Sequence, residues 1–576
     1  MIVSAVSLWK KFKMDDPSPL DALEWGVETK ENKTYSHVLF SGHTVEDGCV
    51  RIYARFCRQA GDAKKPAVLI LPDAGQRPDD TMLSYFADKG YCVLMPDYSG
   101  KIEMTTDETE EKTATEEYVT TYPESLAYGN YAQARGLKDM KDLEAEGTTM
   151  FEWVYIALYC VEYLKSREDV GDIGVVGIRK GGDIAWQTML SPVIKCGVPI
   201  NAVGWSSFLS CAKFGDVATY NLEDDQHRYI AAVEAQSYAP YVKCPVLMLC
   251  GLREAAIDCD RAYDTYSRIG NKENNALLYS LDSGACIGPD ALTDMDLFFE
   301  RYLKGREIYI PDTPNVTLTE TSEGVDIYVE SDKEGILDEI GIVYAEADAS
   351  MKSIYRDWRC IYDTDGKAMK NGRLHYTVKP FDGASAVFAY VYAKYINGFR
   401  IVSKITGKRL TNCNPNAIKS RMIFADKDTD AFSVAENKEY AIGGIFMERD
   451  MLPQLTAGYG DIKGVYSVGG VRTYRVSAPR YTPDENAMLE FDAYSDVGGY
   501  MKVTIDVCIA GSEIERYSSN VYVKGGGKWK RIILKAGDFK GETCGMPLVN
   551  FCNGKALSFT YDDREAMYAV TNILWL

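Results

Sequence analysis

The segment at residues 177–181, with the sequence GIRKG, combines two glycines with two cations. It begins within the last two residues of the apolar run IGVVGI at residues 173–178, so it predicts a tight turn from a buried strand into a helix. Glycines leave room for the close backbone packing of such a turn. Arg179 and Lys180 would then lie at a helix N-terminus, where backbone N–H groups and guanidinium groups bind carboxylates or phosphates. One interpretation of the segment is therefore an anion site.

Histidine and cysteine, the other common reactive side chains, form no metal or disulfide pattern in the sequence. The chain has 4 histidines, and its 15 cysteines are scattered without a CxxC pair. This spacing argues against a zinc site and against a dense disulfide framework. We expect free thiols, no bound metal and no cofactor.

Length and charge exclude several classes of protein. The 576 residues correspond to about three or four domains at roughly 150 residues each. The formal net charge of −20, without a Lys/Arg block, disfavours nucleic acid and anionic membrane surfaces as partners. The lysines near the N-terminus follow the apolar residues rather than precede them, unlike a signal peptide. No apolar run reaches the ~20 residues that span a bilayer. We expect a cytoplasmic protein, although an export signal could have been removed.

The elements that position these residues alternate between strand and helix from about residue 36 to 305. Continuous apolar runs indicate strands buried on both faces, and hence a mostly parallel sheet with helices on both sides. Apolar residues at helical spacing predict helices that end near Lys165 and Gly305. This pattern predicts an α/β domain over residues 1–308, including an N-terminal extension. The predicted strands are 67–71, 91–95, 173–178, 202–205, 245–250 and 276–281.

The second half of the chain has a different pattern. After a PDTP linker at residues 311–314, strands are short and alternating, and no good helix is visible. Residues 309–405 suit a β-sandwich of the immunoglobulin or fibronectin type. A loop-rich segment from residue 406 to about 419 precedes a second, larger sandwich of jelly-roll type over residues 420–576.

The first domain resembles the α/β-hydrolases of the dienelactone hydrolase and acetyl xylan esterase kind. The motifs that carry the resemblance are KKPAVLILPDAGQ, FADKGYCVLMPDYSG, FEWVYIALYCVEYLKSREDVGDIGVVGIRKGG, CPVLMLCGLREAAIDCDRAYDTY and LLYSLDSGACIGPDALTDMDLFFERYLKG. Their order and spacing cover about residues 36–305. The resemblance implies a nucleophile, an acid and a histidine on three separate loops, together with an oxyanion loop.

This sequence departs from the family pattern at two of the three triad positions. Arg179 stands where the family has the serine of G-x-S-x-G, and a protonated guanidinium cannot act as an acyl nucleophile. Cys286 stands where the general base would be, and an ordinary thiol is a poor base. Glu254 is an acceptable acid. The oxyanion-loop positions are Asp73 and Ala74, together with the backbone N–H of Lys180. Asp97 is expected to fix a loop.

Arg179 has two interpretations. In the structural one, its guanidinium forms a salt bridge with Glu254 across the space that serine and histidine fill in active relatives. In the functional one, Arg179 and Lys180 bind an anionic ligand. We favour the structural interpretation, because buried charges usually pair within the protein.

Four other residues could in principle replace the missing chemistry. His227 is most simply explained as an exposed helix histidine. Ser206 and Ser207 follow a predicted strand at an edge where ligands bind in α/β sheets, but serines there commonly cap the strand end. Cys286 as a nucleophile would need a base, and no histidine is near it in sequence.

The last region looks like a galactose-binding or carbohydrate-binding jelly roll, through segments such as GVYSVGGVRTYRV, GGGKWKRIILKAGDF and VTNILWL. Trp529 and Trp575 are expected in its core. Tyr494, Tyr500 and Tyr517 are candidate rim residues, and nothing in the sequence distinguishes among them. The acidic segment DKDTD at residues 426–430 lacks the glycine and glutamate of an EF-hand loop, so we expect a solvated loop.

The leading hypothesis is a catalytically degenerate α/β-hydrolase-like protein that binds a glycan or an acidic small molecule. A second hypothesis is an active carboxylesterase or deacetylase of acylated carbohydrate with a non-standard nucleophile. A third is a structural multidomain protein without a ligand. The chemical roles of Arg179 and Cys286 distinguish the first two hypotheses. An exposed aromatic strip on the last domain would distinguish the first hypothesis from the third.

Overall fold

The computed structural model describes the chain in several stretches. They are 4–14, 18–61, 63–100, 118–126, 146, 148–215, 224–332, 336–363, 372–425, 429–435, 441–457, 459–510, 513–561 and 566–576. None of the helices in these stretches is both long and apolar enough to cross a membrane.

The first domain is built on a nine-stranded sheet with the order β1-β2-β3-β5-β4-β6-β7-β8-β9. The first three strands form an antiparallel meander that joins the sheet through β3 and β5. From β5 to β9 all neighbours are parallel, so the mostly parallel sheet predicted from apolar runs is confirmed. The strands are β1 (Leu23–Lys30), β2 (Lys33–Val45), β3 (Gly48–Gln59), β4 (Lys65–Leu71), β5 (Cys92–Asp97), β6 (Val170–Ile178), β7 (Ile194–Ile200), β8 (Leu247–Gly251) and β9 (Ala276–Ser280).

Eight α-helices are described, all in the first domain. Thr148 caps the long helix α3 by accepting a hydrogen bond from the Phe151 amide, and nearly every side chain of that helix is buried. Helix α8 ends at Gly305, whose φ of +68° suits glycine. The helices are α1 (Ala5–Trp9), α2 (Asp80–Asp88), α3 (Thr149–Ser166), α4 (Lys180–Thr188), α5 (Asp224–Val233), α6 (Ala235–Tyr238), α7 (Cys259–Tyr266) and α8 (Asp290–Lys304).

One strand prediction is wrong. The strand lies at Ile194–Ile200, whereas residues 202–205 form the loop that follows it. Asn201, Gly204 and Trp205 all have positive φ, which an extended strand does not allow. The true strand contains Pro199 and a lysine, which weaken its strand signal in the sequence.

The second domain consists of two antiparallel sheets, with orders β10-β11-β14 and β13-β12-β15-β16. Strand Thr406–Arg409 pairs with β15, so this sandwich continues beyond residue 405 into the segment predicted to be loop-rich. The strands are β10 (Asn315–Thr321), β11 (Gly324–Glu330), β12 (Leu337–Ala347), β13 (Arg359–Asp363), β14 (Arg373–Val378), β15 (Ala386–Tyr395), β16 (Arg400–Val402) and β17 (Thr406–Arg409).

The third domain also consists of two antiparallel sheets, one with the order β20-β21-β29-β23-β26 plus β18 beside β29, the other β19-β22-β28-β24-β25-β27. Its core is separate from that of the first domain. The strands are β18 (Met422–Phe424), β19 (Phe432–Val434), β20 (Gln454–Ala457), β21 (Lys463–Tyr466), β22 (Val471–Thr473), β23 (Leu489–Ser495), β24 (Gly499–Ala510), β25 (Glu513–Val523), β26 (Lys530–Leu534), β27 (Lys540–Gly541), β28 (Gly554–Tyr561) and β29 (Tyr568–Trp575).

One hydrophobic cluster contains residues of the first two domains together with Ile445 and Phe446 of the third, and a separate cluster fills the space between the two sheets of the second domain. A fully buried ion pair joins the first two domains: Arg356 holds Asp260 of α7 at 2.6 and 2.8 Å. The Arg356 guanidinium also stacks on the Phe388 ring at 3.5 Å. These contacts fix the second domain against the face of the first that carries α7.

Candidate functional site

The segment at residues 177–181 forms a sharp turn between β6 and α4. Arg179 has φ +49° and ψ −109°, a conformation that costs a non-glycine residue about 1–3 kcal/mol. A Cβ at Gly177 would clash with the Gly181 carbonyl, and one at Gly181 would clash with the Leu71 carbonyl. Both glycines are therefore required by packing. The strained backbone of a nucleophile elbow is present, and it carries an arginine.

Arg179 is 8% exposed and forms the predicted ion pair. Its Nε donates to Glu254 Oε2 at 3.0 Å, and its Nη1 lies 3.9 Å from Asp73 Oδ2. Glu254 also accepts the Ala256 amide at 3.1 Å. The Nη1 and Nη2 atoms are buried and have no hydrogen-bond partner among the described residues. The salt bridge thus leaves the outer donors of the guanidinium unused.

The Asp73 carboxylate lies against two backbone amides that the sequence motif predicts for an oxyanion site. Its Oδ1 accepts hydrogen bonds from the backbone N–H of Ala74 at 3.0 Å and of Lys180 at 3.3 Å. These are the loop amide and the amide after the nucleophile position, the pair that stabilises an oxyanion in serine hydrolases. A carboxylate already satisfies both donors, so they are not available to a developing negative charge.

A cavity of about 240 Å³ opens beside these residues. Lys180 lines it and pairs with Asp183 at 3.0 Å, a carboxylate that raises the pKa of the lysine and keeps it charged. The cavity wall has both apolar and polar parts. It is lined by Asp73, Arg179, Lys180, Asp183, Asn201, Ala202, Val203, Gly204, Ser206, Tyr229, Val233, Glu234, Ala256 and Ile257.

Cys286 does not lie in this cavity. It is 3% exposed and packs against Val434 and Met447 of the third domain. The loop that carries it is bound by that domain, because the Ile287 amide donates to Ile445 O at 2.8 Å and the Met447 amide donates to Ile287 O at 2.9 Å. In this structure the Cys286 loop is therefore a contact with the third domain.

The loop that carries Glu254 is also bound to the other domains. Arg253 Nη1 donates to the carbonyl oxygens of Ile354 at 2.6 Å and Arg356 at 3.0 Å. Its guanidinium stacks on the Tyr474 ring of the third domain at 3.6 Å, and burial lowers its pKa to about 10. Two loops that hold triad members in active hydrolases thus serve here as domain contacts.

The other sequence candidates have structural surroundings. His227 is exposed on α5, as predicted. Ser206 lines the cavity, and its hydroxyl and amide both donate to the buried carboxylate of Glu234. Ser207 does not line the cavity. Asp97 accepts four hydrogen bonds of 3.1 Å from Ser99, Gly100 and Thr120, which confirms its role in fixing a loop.

Sequence reasoning missed the roles of Asp73 and Glu234. The sequence motif places Asp73 in the oxyanion loop, and nothing in the sequence shows that its carboxylate turns back onto the two amides. Glu234 precedes α6 and contacts residues about 30 positions away, so no local spacing identifies it. A charged residue within the oxyanion motif, LPDAG, is the one signal that could have been read.

In the third domain, Trp575 is buried, as predicted, whereas Trp529 is half-buried and packs on Tyr494. Tyr500 and Tyr522 are 55% and 58% exposed, directly opposite each other on β24 and β25, with ring centroids 5.4 Å apart. Tyr517 is buried. Residues 426–428 of the acidic segment lie outside the described residues, and the described part contains no group of three His, Cys, Asp or Glu able to hold a metal.

Among solved structures, the chain is similar to an acetyl xylan esterase from Paenibacillus sp. R4, with 17% identity, a TM-score of 0.39, and coverage of 52% of this chain and 92% of that one. It is also similar to acetyl xylan esterase 1 from Thermoanaerobacterium sp. JW/SL YS485, with 16% identity, a TM-score of 0.36, and coverage of 49% and 87%. No curated protein matches the chain. Residues 52–279 match the sequence profile of the Dienelactone hydrolase family. The resemblance predicted from the sequence motifs is thereby confirmed, and residues 52–279 form a domain of the dienelactone hydrolase kind.

Proposed function

We propose that the first domain is a catalytically degenerate hydrolase domain that binds a small oxygen-rich ligand and does not cleave esters. The observation that carries this proposal is that charged side chains occupy both the elbow and the oxyanion amides. Arg179 occupies the strained nucleophile position, and the Asp73 carboxylate accepts the two amides that would stabilise an oxyanion. A hydrolase needs a nucleophile and a site for the developing charge, and both places are filled by charged side chains.

The unused donors of Arg179 support ligand binding in the cavity. Leaving buried donors without partners costs about 1–3 kcal/mol each, and a ligand with acceptor oxygens would recover that cost. Arg179 is more than nine-tenths buried and lines the cavity of about 240 Å³. The apolar part of the wall, including Val203, Val233 and Ile257, suits the carbon skeleton of such a ligand.

The charges around the cavity favour a neutral ligand over an anion. Arg179 is already flanked by Glu254 and Asp73, and Lys180 is paired with Asp183. Glu234 adds a further carboxylate to the wall. An incoming carboxylate would meet more negative than positive charge. Of the two ligand classes inferred from the sequence, hydroxyl-rich or acylated carbohydrates therefore suit the cavity better than small acids.

The first experiment measures turnover of short-chain aryl acetates together with labelling by a serine-reactive phosphonate. We expect no turnover above background and no label. A labelled serine would overturn the proposal, and peptide mapping would locate the true nucleophile.

The second experiment compares neutral acetylated sugars with small carboxylic acids by thermal shift on the full chain. We expect the sugars to raise the Tm of the chain. The Arg179→Gln variant should need at least ten times more sugar for the same increase in Tm. Arg261→Gln is the matched control, because Arg261 is similarly buried, pairs with Asp258 and does not line the cavity. Stabilisation by acids alone would contradict the charge argument.

A second binding function, for glycans at the third domain, is supported by the exposed pair Tyr500 and Tyr522. Sugar C–H faces pack on aromatic rings, and Lys502 and Asn520 provide polar groups next along the same face. We expect Tyr500→Ala with Tyr522→Ala to abolish retention on polysaccharide gels. Tyr328→Ala, which removes an exposed tyrosine of the second domain, should leave retention unchanged. Equal retention by all variants would exclude this surface.

A further inference from the structure

The outer end of the Arg179 guanidinium lies on the side of the cavity of about 240 Å³ described above. Its Nε donates to Glu254, which does not line the cavity. Its Nη1 lies 3.9 Å from Oδ2 of Asp73, which does line it. Arg179 is 8% exposed, and neither Nη1 nor Nη2 has a hydrogen-bond partner among the described residues. This end of the cavity therefore favours an acceptor oxygen on the ligand.

Asp183 provides an acceptor near these donors. It lies in the first turn of α4, and its backbone amide donates to the Arg179 carbonyl at 3.1 Å. Both side chains line the cavity. Asp183 Oδ2 accepts a hydrogen bond from Lys180 at 3.0 Å, and no hydrogen bond between described residues involves its Oδ1. The first turn of α4 thus presents a donor group and an acceptor group to the same cavity.

The other carboxylates of the cavity wall already accept several hydrogen bonds within the protein. Glu234 is 5% exposed and accepts four, from Gln236 and from the residues at 205–206. A carboxylate has about four lone-pair positions, so Glu234 has little capacity left for a ligand. Asp73 accepts two backbone amides. Asp183 is therefore the wall carboxylate best able to accept a hydrogen bond from a ligand.

The apolar part of the wall suits a short acyl group. Val203, Val233 and Ile257 line the cavity together with two alanines, and all three of these larger side chains are buried. A bare sugar offers few carbon groups to such a surface, whereas an acyl methyl would pack against it. The volume is below the range of about 300–1,000 Å³ that is typical of sites for drug-sized molecules, so the cavity suits a single sugar unit with a small substituent.

We propose that the ligand of this cavity is an N-acylated amino sugar, an inference that rests on the binding function proposed above. The amide carbonyl would accept from the Nη atoms of Arg179, the amide N–H would donate to Asp183, and the acyl methyl would lie against the apolar wall. An ester has the carbonyl but no N–H, so it offers Asp183 no donor. A free amino sugar lacks the acyl oxygen for Arg179, and a carboxylate would meet the excess of negative charge in the wall.

Titration calorimetry of the full chain with two matched probes tests the proposal. The probes are methyl N-acetyl-α-D-glucosaminide and methyl 2-O-acetyl-α-D-glucopyranoside, which differ only in an amide N–H against an ester oxygen. We expect the amide to bind at least ten times more tightly than the ester, a difference of about 1.4 kcal/mol. Methyl α-D-glucopyranoside, which has no acyl group, should bind more weakly than either. The same order should persist in the variant that combines Tyr500→Ala with Tyr522→Ala, which locates binding outside the third-domain surface.

Substitutions in the cavity wall assign the preference to its residues. Asp183→Ala should bring the affinity for the amide to within twofold of that for the ester, because the acceptor for the N–H is removed. Arg179→Gln should weaken binding of both acylated probes. Glu162→Ala is the matched control, because Glu162 pairs with Lys165 three residues later on α3 and does not line the cavity. It should keep the tenfold preference.

The outcomes separate this inference from the function on which it rests. Equal or tighter binding of the ester by the unaltered chain would overturn the N-acyl assignment and leave the binding of acylated sugars intact. A tenfold preference that survives in Asp183→Ala would also overturn the assignment. Absence of saturable binding by both acylated probes would overturn the assignment and the proposed function together. The comparison of amide with ester uses the unaltered chain, so it decides the question even if a variant fails to fold.

Discussion

Replacing Arg179 by alanine tests how much the ion pair between Arg179 and Glu254 contributes to the free energy of unfolding. The substitution leaves Glu254, which is 8% exposed, with the Ala256 amide as its remaining hydrogen-bond donor among the described residues. Removing one partner of a buried ion pair typically costs about 3–5 kcal/mol, because the other charge stays buried.

Two gains reduce this cost. Arg179 is a cation at the N-terminus of α4, where the helix dipole disfavours it by about 0.3–1 kcal/mol. Its Nη atoms are unpartnered donors that the substitution removes. Alanine keeps a Cβ and so does not relieve the positive φ. We therefore expect a net loss of about 2 kcal/mol, which corresponds to a fall in Tm of about 4–8 °C for a domain of 150–250 residues and somewhat less for a larger one.

Urea and thermal unfolding of four proteins measure this effect: the unaltered chain, Arg179→Ala, Glu254→Gln and the double variant. We expect the double variant to be more stable than the sum of the single losses by about 1–3 kcal/mol, since it contains no unpaired carboxylate. Arg179→Gly should be more stable than Arg179→Ala, because glycine adopts φ +49° without strain. An unchanged Tm in Arg179→Ala, or strictly additive losses, would refute the reasoning.

Three further predictions concern other parts of the chain. Burial lowers the pKa of His37 from 6.5, so the unfolded chain binds more protons below that pH and stability falls as the pH drops; His37→Asn should flatten this part of the stability curve between pH 7 and 5. Arg356→Ala should destabilise the chain by about 3–5 kcal/mol, and Arg356→Met with Asp260→Leu should recover most of that loss, as measured by urea unfolding. In the native chain, iodoacetamide should label the exposed Cys413 but not the buried Cys286, as measured by mass spectrometry of tryptic peptides. Labelling of Cys286 in the native chain would contradict its burial.

Much of the α/β architecture can be predicted from sequence, because apolar runs and helical spacing are local signals. The helix ending near Lys165 and the strand at Val170–Ile178 lie within a few residues of their predicted positions. The apolar pattern misplaces the strand at Ile194–Ile200, since Pro199 and a lysine interrupt its apolar run while a run of Ala202 to Trp205 follows it. Parallel pairing with β6 overrides these local preferences.

The candidate site is only partly predictable, for a different reason. The Arg179–Glu254 ion pair follows from motif positions and the length of the guanidinium. The orientation of Cys286 depends on Met447 and Val434, more than 140 residues away, which no local pattern connects to it. The capping of two amides by Asp73 depends on one side-chain rotamer. Contacts between distant segments and single rotamers are set by the packed structure rather than by local sequence.

The contact between the Cys286 loop and the third domain has a consequence for enzyme design. Substituting Arg179→Ser and Cys286→His would introduce two residue types of a serine-hydrolase triad without its geometry. The histidine would face Val434 and Met447, and the Asp73 carboxylate would still occupy the oxyanion amides. Two substitutions are therefore not sufficient to build a serine-hydrolase site at this turn. The contacts that join the Cys286 loop to the third domain would have to be rebuilt as well.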